Sequence, residues 1–403
     1  MARLLFLAHR IPYPPNKGDK IRSWNILRHL TARHEVALGC FVDDEEDWQF
    51  TPVLREICAE CHFAPLKPGW ARLKSLTGLA RGAPLSLTYY RDAGLARWVG
   101  GMMKGFSPEG IFLFSSPMAQ YVASHAGGNI PVVMDFVDVD SDKWAQYARE
   151  KSGPARWVYR REARTLSEAE RAIAGWASAS VFVSRDEAAL FRSRAPESAD
   201  RIDFLNNGVD ADYFSPDETL ANPFSAAGPQ LVFTGAMDYW ANVNAVSWFA
   251  GEILSRVRAE IPTAGFTIVG GKPTAAVEAL GQTAGVTVTG RVPDVRPYLQ
   301  HAAAVVVPMR IARGIQNKVL EAMAMARPVI ATPQAAEGID ARAGEELIIA
   351  DGAPALARAI VTQLRTPHCG LGAAARRRVV QDYSWDSQLA KLDGIFGAPP
   401  GVG

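Results

Sequence analysis

The sequence is poor in the features that mark several large protein classes. Only four cysteines occur among 403 residues, which argues against a disulfide framework and for a reducing compartment. The 43 lysines and arginines balance 42 aspartates and glutamates, so the strong basic field of a bulk nucleic-acid-binding protein is missing. No apolar run approaches the roughly 20 residues of a membrane-spanning helix. We therefore expect a cytoplasmic protein that does not bind nucleic acid.

The N-terminus, MARLLFLAHR, has a short apolar core that His9 and Arg10 interrupt. This pattern favours a first β-strand rather than a signal peptide. A chain of this length with 48% hydrophobic residues favours two domains of roughly 200 residues each.

Short β-branched runs alternate with helical stretches such as Ile21–Leu30 and Ala155–Trp176. The predicted strands are Leu4–Ala8, Val36–Phe41, Ile111–Phe114, Val132–Asp135, Ser180–Val183, Ile202–Leu205, Leu231–Thr234, Phe266–Val269, Val286–Thr289, Ala304–Val307, Val329–Ala331 and Leu347–Ile349. This alternation predicts an α/β protein with two doubly wound parallel sheets. Ligands bind at the carboxyl ends of such strands, so we expect the active cleft between two facing domains.

Turn signals cluster between Asn206 and Pro229, where Asn-Asn-Gly, Ser-Pro, Asn-Pro and Gly-Pro occur. They predict one domain over residues 1–205 and a second over 206–382. The remaining residues, 383–403, include YSWDSQLAKLDGIFG with helical spacing. We expect this tail to cross back to the N-terminal domain.

The most informative segment, residues 304–332, is predicted to form a strand, a loop, a helix and a strand. Ala304–Val307 is β-branched and ends at Pro308, whereas Ile315–Ala326 has apolar residues at helical spacing. Gly314 is then expected just before the first helical turn. The unpaired backbone N–H groups of a helix start form a ready site for phosphate.

Charged side chains surround this predicted helix start. Arg310 and Arg313 flank it and could donate charge-assisted hydrogen bonds to phosphate oxygens. Lys318 and Glu321 are three residues apart and share one helix face. A carboxylate there can accept two hydrogen bonds from a ribose diol. The pattern predicts a nucleoside diphosphate pocket, and the alternative is an ordinary βαβ unit with solvated charges.

This strand–loop–helix resembles the donor-nucleotide motif of family-4 glycosyltransferases with the GT-B fold. Four further segments match that family in order and spacing. They are NNGVD at 206–210, FTGAM at 233–237, FTIVGG at 266–271 and VTVTGRVPDVRPYL at 286–299. With RIPYPPNKGDKIRSWNILRHL and DFVDVDSDKW, the sequence is also similar to the sugar transferases of exosortase (PEP-CTERM) exopolysaccharide loci.

The resemblance implies transfer of a sugar from a nucleoside diphosphate sugar, with UDP or GDP undecided, to a glycan or polyprenyl-linked acceptor. It implies retention of the anomeric configuration, no obligatory metal and no cofactor. The N-terminal domain would hold the acceptor and the C-terminal domain the donor. Such a protein would lie at the inner face of the plasma membrane, as a peripheral protein of exopolysaccharide biosynthesis.

The same resemblance implies roles for individual residues. Glu321 matches the second glutamate of the family's paired-glutamate motif, which binds the donor ribose. Arg291 and Val292 match the loop whose backbone meets the nucleobase, and Gly18 matches the glycine-rich turn after the first strand. The complete set of predicted donor-binding residues is Gly18, Gly235, Arg291, Val292, Arg310, Gly314, Ile315, Asn317, Lys318 and Glu321.

Two departures from the family concern cations and carboxylates at the donor site. Arg313 stands where relatives have the first motif glutamate, eight positions before Glu321. Relatives often carry an arginine and a lysine after the strand matched by Leu231–Thr234, but GAMDYWANVNAV has neither. The predicted substitutes are Arg310, Arg313 and Lys318. In the same segment, Trp240 could contact substrate, although a packed aromatic is the favoured interpretation.

The third departure concerns the acceptor side. The histidine of many relatives is missing, and its position after Val132–Asp135 is taken by Phe136 or Val137. Asp138 and Asp140 follow and could orient the acceptor or stabilise oxocarbenium charge. Together with Arg313, they are the predicted catalytic residues.

Several competing patterns are weaker. Asp138–Asp142 contains Asp-x-Asp, the metal signature of the GT-A fold, but one such match is expected by chance. Cys58–His62 fits a haem-attachment motif without an export signal, and Gly270-Gly271 lacks the rest of a dinucleotide fingerprint. The run Arg376-Arg377-Arg378 is interpreted as a solvated helix face.

Residues 68–91 combine apolar residues at helical spacing with basic groups. They could lie on an anionic membrane surface or pack as a helix on the N-terminal sheet. Two other functions remain open for the whole chain. One is a non-catalytic GT-B scaffold that binds a nucleotide or glycan, which Arg313 motivates, and the other is a sugar-nucleotide epimerase.

Overall fold

The computed structural model describes residues 1–125, 128, 130–150, 152–225, 227–312, 315–366 and 370–396. The chain forms two compact units. The N-terminal unit contains residues 1–206 and the segment that begins at Leu389, and the C-terminal unit contains residues 207–388. Helix α18, Trp385–Phe396, therefore begins in the C-terminal unit and ends in the N-terminal one.

The N-terminal unit contains a seven-stranded sheet of order β3-β2-β1-β4-β5-β6-β7, in which all pairs are parallel. Its strands are β1 Arg3–Ala8, β2 Glu35–Val42, β3 Glu60–Pro65, β4 Gly110–Phe114, β5 Val132–Val137, β6 Ala179–Phe182 and β7 Ile202–Phe204. The strand order reverses between β1 and β4. In doubly wound sheets, the crevice at such a reversal is the usual ligand site.

The C-terminal unit contains a six-stranded parallel sheet of order β10-β9-β8-β11-β12-β13. Its strands are β8 Gln230–Thr234, β9 Gly265–Val269, β10 Val286–Gly290, β11 Ala304–Val307, β12 Val329–Ala331 and β13 Ile348–Ile349. Here the order reverses between β8 and β11. This is the Rossmann arrangement, with the reversal beside the segment that the sequence marks as the nucleotide motif.

Helices connect the strands in both units. They are α1 Gly18–Thr31, α2 Thr51–Ile57, α3 Pro68–Ser75, α4 Thr77–Ala80, α5 Leu85–Tyr89, α6 Ala93–Gly105, α7 Asp140–Glu150, α8 Gly153–Trp176, α9 Arg185–Arg194, α10 Trp240–Trp248, α11 Leu254–Glu260, α12 Ala275–Leu280, α13 Arg296–Gln300, α14 Asn317–Ala324, α15 Pro333–Ala336, α16 Ala353–Arg365, α17 Leu371–Asp382 and α18. A π-helical turn, Phe249–Ile253, joins α10 to α11. The predicted α/β fold of two Rossmann-like domains is confirmed.

The central strands are buried on both faces, as expected when helices cover a parallel sheet on each side. All five residues of β4, β8 and β9 are buried. Near-continuous apolar runs of this kind explain why the strands could be located from the sequence. Each unit has its own cluster of buried apolar side chains.

The helix of the nucleotide motif differs from its predicted bounds, Ile315–Ala326. Gln316 is in an extended conformation, with φ −88° and ψ 103°, so α14 begins at Asn317. Ile315 is half-buried against the C-terminal core without being helical, and this burial produced the misleading apolar spacing. At the other end, Ala326 has a positive φ of 53° and stops the helix.

The predicted solvated face at Arg376-Arg377-Arg378 is wrong for two of its three residues. The Arg376 guanidinium donates to the Phe214 carbonyl over 2.9 Å and also to the carbonyl of Ala324. Arg378 donates to Glu346 over 3.1 Å, and only Arg377 is exposed. All three arginines lie on helix α17, whose turn directs Arg376 and Arg378 toward neighbouring carbonyl and carboxylate groups and Arg377 toward solvent.

Candidate donor site

Three adjacent strands of the C-terminal sheet end in glycines that approach one another closely. Gly235 follows β8 and donates its N–H to Val269 over 3.0 Å, while Gly270 donates to Gly290 over 3.1 Å. A Cβ atom on Gly270 would lie 1.7 Å from the Gly235 carbonyl oxygen, so only glycine fits there. The carboxyl edge of this sheet is therefore backbone, which a ligand can approach closely.

Lys318 brings a cation to this glycine edge. Its ammonium lies 5.5 Å from the centre of the Phe233 ring and 3.3 Å from the Gln316 amide oxygen. A Cβ atom on Gly235 would be 3.5 Å from the Lys318 Cε atom. Burial lowers the pKa of Lys318, and the carboxylate of Glu321 opposes that change. The lysine thus places positive charge in a poorly solvated position at the end of β8.

Glu321 lies one turn further along α14 and is half-buried. Burial raises the pKa of Glu321 to about 7, although the nearby Lys318 ammonium acts in the opposite direction. Its carboxylate makes no hydrogen bond or ion pair with another residue in the described parts of the chain. A carboxylate that is partly withdrawn from water without a protein partner is suited to accept hydrogen bonds from a ligand.

Arg310 and the predicted base-binding loop lie around the same sheet. Arg310 is exposed, and its Nε atom donates to the Asn244 side chain over 3.1 Å. Its guanidinium carbon is 5.2 Å from the Trp248 ring centre, so the side chain rests on helix α10. After β10, Arg291 is exposed whereas Val292 is half-buried and packs on the core.

The loop after β8 carries two exposed aromatic side chains. Tyr239 and Trp240 are 53% and 57% exposed, so the sequence-based interpretation of Trp240 as a packed aromatic is wrong. The loop itself is anchored, since Met237 donates to the Gly271 carbonyl over 2.9 Å and the Asn242 amide donates to Ala236 over 2.9 Å. The apolar neighbours of Trp240 in the sequence misled the interpretation, because they bury the opposite side of α10.

Two predicted donor-site residues, Arg313 and Gly314, lie outside the described residues. Asn317 is the exposed first residue of α14. Ile315 packs close to Gly338, where an added Cβ would lie 3.2 Å from the Ile315 Cγ1 atom. Of the predicted residues, the structure therefore brings Gly235, Lys318 and Glu321 together, whereas Arg310 rests on α10.

Gly18 belongs to the N-terminal unit, where it is the first residue of α1. No heavy atom would lie within 4 Å of a Cβ atom added to it. The adjacent Asp19 accepts from Arg10 over 2.5 Å, and Arg10 also pairs with Asp43 at 2.9 Å. His9 lies 3.5 Å from Asp19 and stacks on Phe114. Paired charges thus occupy the end of β1.

Asp138 and Asp140, the predicted acceptor-side carboxylates, share one cation. The Lys143 ammonium lies 2.7 Å from Asp138 and 3.1 Å from Asp140. Lys143 is exposed, and both carboxylates raise the pKa of its ammonium group. Among the described residues, no group of three or more His, Cys, Asp or Glu side chains is arranged to hold a metal ion.

A buried ion pair that the sequence did not reveal supports this acceptor-side loop. The guanidinium of Arg22 lies 2.8 Å from Asp135, and both side chains are almost fully buried. Asp135 also accepts from the backbone N–H of Val137 over 3.0 Å. Val137 has a positive φ of 68°, a strained conformation for a β-branched residue. The pair therefore helps to hold the bent backbone that leads into Asp138.

Two protein-family models match consecutive parts of this sequence. The model for the glycosyl transferase 4-like domain matches residues 20–208, and the model for glycosyl transferases group 1 matches residues 228–366. The first match ends at residue 208, close to the division between the two units after residue 206. The chain is a family-4 glycosyltransferase of the GT-B fold.

Solved structures share the fold of this glycosyltransferase over nearly its whole length. HepE of Anabaena in complex with UDP is 14% identical, with a TM-score of 0.67 over 99% of this chain and 100% of that one. Sucrose-phosphate synthase from Thermosynechococcus elongatus is 17% identical, with a TM-score of 0.66 over 98% of each chain. A glycosyltransferase from Rickettsia africae is 14% identical, with a TM-score of 0.64 over 99% of each chain.

No curated relative matches this glycosyltransferase. The Anabaena protein has also been solved in complex with UDP-glucose, at 15% identity and a TM-score of 0.65 over 99% of this chain and 100% of that one. Within the described residues, no helix is both long and apolar enough to cross a bilayer.

Proposed function

We propose that this glycosyltransferase binds a nucleoside diphosphate sugar at the glycine edge of its C-terminal sheet. The ribose hydroxyls donate to Glu321, and the diphosphate lies between Lys318, the start of α14 and the glycines after β8 and β9. The observation that carries the proposal is Glu321, a half-buried carboxylate with a pKa of about 7 beside a poorly solvated lysine. Both groups would gain from a ligand that offers hydroxyls and negative charge.

Sugar transfer leaves negative charge on the departing diphosphate. Positioned cations and helix N-termini stabilise such charge, and removing one donor of this kind costs roughly 3–4 kcal/mol of barrier in other enzymes. Lys318 lies beside the end of β8, and we propose that it replaces the arginine and lysine that relatives have there. Arg310 and two residues predicted from the sequence, Arg313 and Gly314, complete the proposed phosphate site; the latter two lie outside the described residues.

The reaction proposed is transfer with retention of the anomeric configuration and without a metal or cofactor. In this mechanism, the departing phosphate oxygen takes the proton of the acceptor hydroxyl on the same face of the sugar. A protein base is then unnecessary, and Asp138 or Asp140 orients the acceptor or stabilises the oxocarbenium charge. Arg291 and Val292 frame the nucleobase, and Gly18 closes over the diphosphate or the acceptor.

The proposed acceptor is a glycan or a polyprenyl-linked sugar in cytoplasmic exopolysaccharide synthesis, as in the exosortase-associated transferases that this sequence resembles. The support is the pair of sequence segments at residues 10–30 and 135–144. Such an acceptor is carried at a membrane face, where a peripheral enzyme would meet it.

A panel of nucleotides and nucleotide sugars tests the proposal by thermal shift. Ligands that bind the native state raise the melting temperature. We expect at least one UDP- or GDP-sugar to stabilise the protein. On long incubation, the enzyme should slowly hydrolyse this donor and release its free sugar. A panel in which no nucleotide stabilises the protein would refute the proposed site.

The main alternative is a scaffold protein that binds nucleotide without catalysis. This alternative is favoured by Arg313, which stands in place of the first motif glutamate. A scaffold would be stabilised by a nucleotide sugar yet release no sugar from any donor. A sugar-nucleotide epimerase would change the donor without an acceptor. The product would then keep the mass of the donor and differ in chromatographic retention.

A further inference from the structure

The N-terminal unit exposes large apolar side chains on two neighbouring helical segments. On α3 and the turn after it, Trp70, Leu73 and Leu76 are 69%, 62% and 51% exposed. Near the start of α8, Trp157 is 61% exposed. We call the exposed residues of 67–82 and 153–164 the basic-apolar face. Side chains of this size are rarely exposed together without a partner surface.

The same face is strongly positive, although the formal charge of the whole chain is only +1. Its exposed cations are Lys67, Arg72, Lys74, Arg81, Arg156, Arg160 and Arg164. The one carboxylate within 66–91 and 153–166 is Glu162, which is 1% exposed. Glu168, beyond the face, pairs with Arg164 at 3.1 Å in a solvated contact. Within these two segments, the exposed positive charges are therefore not balanced by an exposed carboxylate.

Buried polar contacts fix the two segments to each other. The Glu162 carboxylate accepts from the backbone N–H groups of Leu85 and Ser86 over 2.7 and 2.8 Å. Arg161 donates to the carbonyl oxygens of Gly78 and Ala83 over 3.0 and 3.2 Å. The face is thus built on one rigid support, which lowers the entropic cost of binding a surface.

The arginines of α8 also line a concavity. Trp157, Arg160, Arg161 and Arg164 surround a volume of about 370 Å³. Guanidinium groups bind phosphate in bidentate geometry, and tryptophan prefers the boundary between water and lipid chains. The lining therefore matches a phosphate-bearing headgroup above acyl chains.

We propose that the basic-apolar face docks this glycosyltransferase on an anionic phospholipid bilayer. Trp70, Leu73 and Leu76 enter the headgroup region, as on an interfacial amphipathic helix, and the surrounding cations attract anionic lipids. Ala71 and Ser75 are buried on the inner side of α3, so the helix presents its opposite side outward. Membrane docking itself does not depend on the proposed function. Its proposed role, which is to bring the enzyme to a membrane-carried acceptor, rests on that function.

Vesicle flotation with the full chain tests the proposal. Vesicles of phosphatidylcholine alone are compared with vesicles that contain phosphatidylglycerol, at low and high salt. We expect binding to the anionic vesicles only, with loss in high salt because the attraction is screened. Equal binding to both vesicle types, or no binding to either, would overturn the proposal.

Two variants locate the contact. The double substitution Arg160→Glu with Lys67→Glu should weaken binding at least about tenfold, since each basic residue near an anionic surface contributes appreciably. Trp70→Ala should weaken binding without changing its salt dependence. The matched control is Arg256→Glu with Arg377→Glu, the same charge change at exposed positions of the C-terminal unit. Equal losses for the face variant and the control would contradict this location.

The same samples separate this inference from the proposed function. Stabilisation by the nucleotide-sugar panel is measured for every variant, and it should be unchanged because the face belongs to the N-terminal unit and α14 to the C-terminal unit. Lipid binding without any nucleotide binding would count against the proposed function alone. A different result would overturn the proposal: the wild-type protein does not bind vesicles, and the face variants abolish self-association in analytical ultracentrifugation. The partner of the face would then be a second copy of this chain.

Discussion

The two sheets of this molecule share one strand order around their reversal points, yet their carboxyl edges are built from different chemistry. At the N-terminal edge, charged side chains pair with each other. Arg10, after β1, pairs with Asp43, after β2, and Arg22 of α1 pairs with Asp135 near the end of β5. At the C-terminal edge, glycines bring the backbone of three strands together. The same fold thus presents a side-chain network in one unit and bare backbone in the other.

This difference separates structural charge from charge that is available to a ligand. Arg22 and Asp135 satisfy each other, so their burial stabilises a particular backbone conformation. Glu321 is withdrawn from water without such a partner among the described residues, and its pKa rises to about 7. Charge without an internal partner beside an accessible backbone is typical of a binding site.

The largest expected effect comes from breaking the N-terminal network. Asp135→Ala leaves Arg22 buried without its carboxylate, and loss of one partner of a buried pair costs about 3–5 kcal/mol. Urea denaturation should show this loss of unfolding free energy. Glu109→Ala, which removes an exposed pair with Arg3, is the control and should cost less than about 1 kcal/mol. Similar losses in both variants would remove the distinction between buried and exposed pairs.

The next effect concerns the glycine edge. Gly270→Ala places a Cβ atom 1.7 Å from the Gly235 carbonyl oxygen, so the strand ends must separate. We expect a loss of about 1–3 kcal/mol in stability, as for overpacked sites, and loss of nucleotide-sugar stabilisation in a thermal-shift assay. Gly271→Ala is a matched control, because its added Cβ would lie 3.5 Å from Arg291, an ordinary contact. If Gly270→Ala changed neither stability nor nucleotide-sugar stabilisation, the close approach of Gly270 to the Gly235 carbonyl oxygen would be contradicted.

A smaller effect is expected from pH. Glu321 has a pKa of about 7, and hydroxyl donors favour its ionised form, so affinity should increase as pH rises through 7. Between pH 6 and pH 8, a nucleotide sugar should bind roughly tenfold more tightly. Nucleotide sugars suit this titration because their diphosphate is fully ionised throughout that range and its charge does not change. Glu321→Gln should flatten the profile, and an unchanged slope in that variant would assign the titration to another group.

The smallest effect on stability is expected at the acceptor-side loop. Asp138→Asn leaves Lys143 paired with Asp140, so the unfolding free energy should change by less than about 1 kcal/mol. Turnover is the informative measurement, because orientation of the acceptor would require the carboxylate. Unchanged turnover together with unchanged acceptor affinity would exclude Asp138 from catalysis.

The central strands could be predicted because they are apolar and buried on both faces. The edge strand β3, which is only partly buried, is missing from the predicted set. Ala304–Val307 and Val329–Ala331 have the predicted bounds, whereas α14 begins later because Gln316 is extended. The half-buried Ile315 continues the helical spacing of apolar residues although it is not helical. Nothing in the residue type of Gln316 indicates its extended backbone.

The candidate site could be predicted only in part. Glu321 and Lys318 follow from their spacing on one helix. Pairing between distant segments has no local signal, so Arg22 with Asp135 and Arg310 with Asn244 were missed. The glycine at 270 was visible within FTIVGG, but its contact with Gly235 depends on the parallel register of β8 and β9.

The central claim is that Glu321 holds the donor ribose at the glycine edge, and titration calorimetry tests it most directly. Wild type, Glu321→Ala and the exposed control Glu278→Ala are titrated at pH 8 with a nucleotide sugar that stabilises the native protein. We predict affinity at least about tenfold weaker for Glu321→Ala, as expected for loss of hydrogen bonds to a charged group, and unchanged affinity for the control. Equal affinity in wild type and Glu321→Ala would contradict the account.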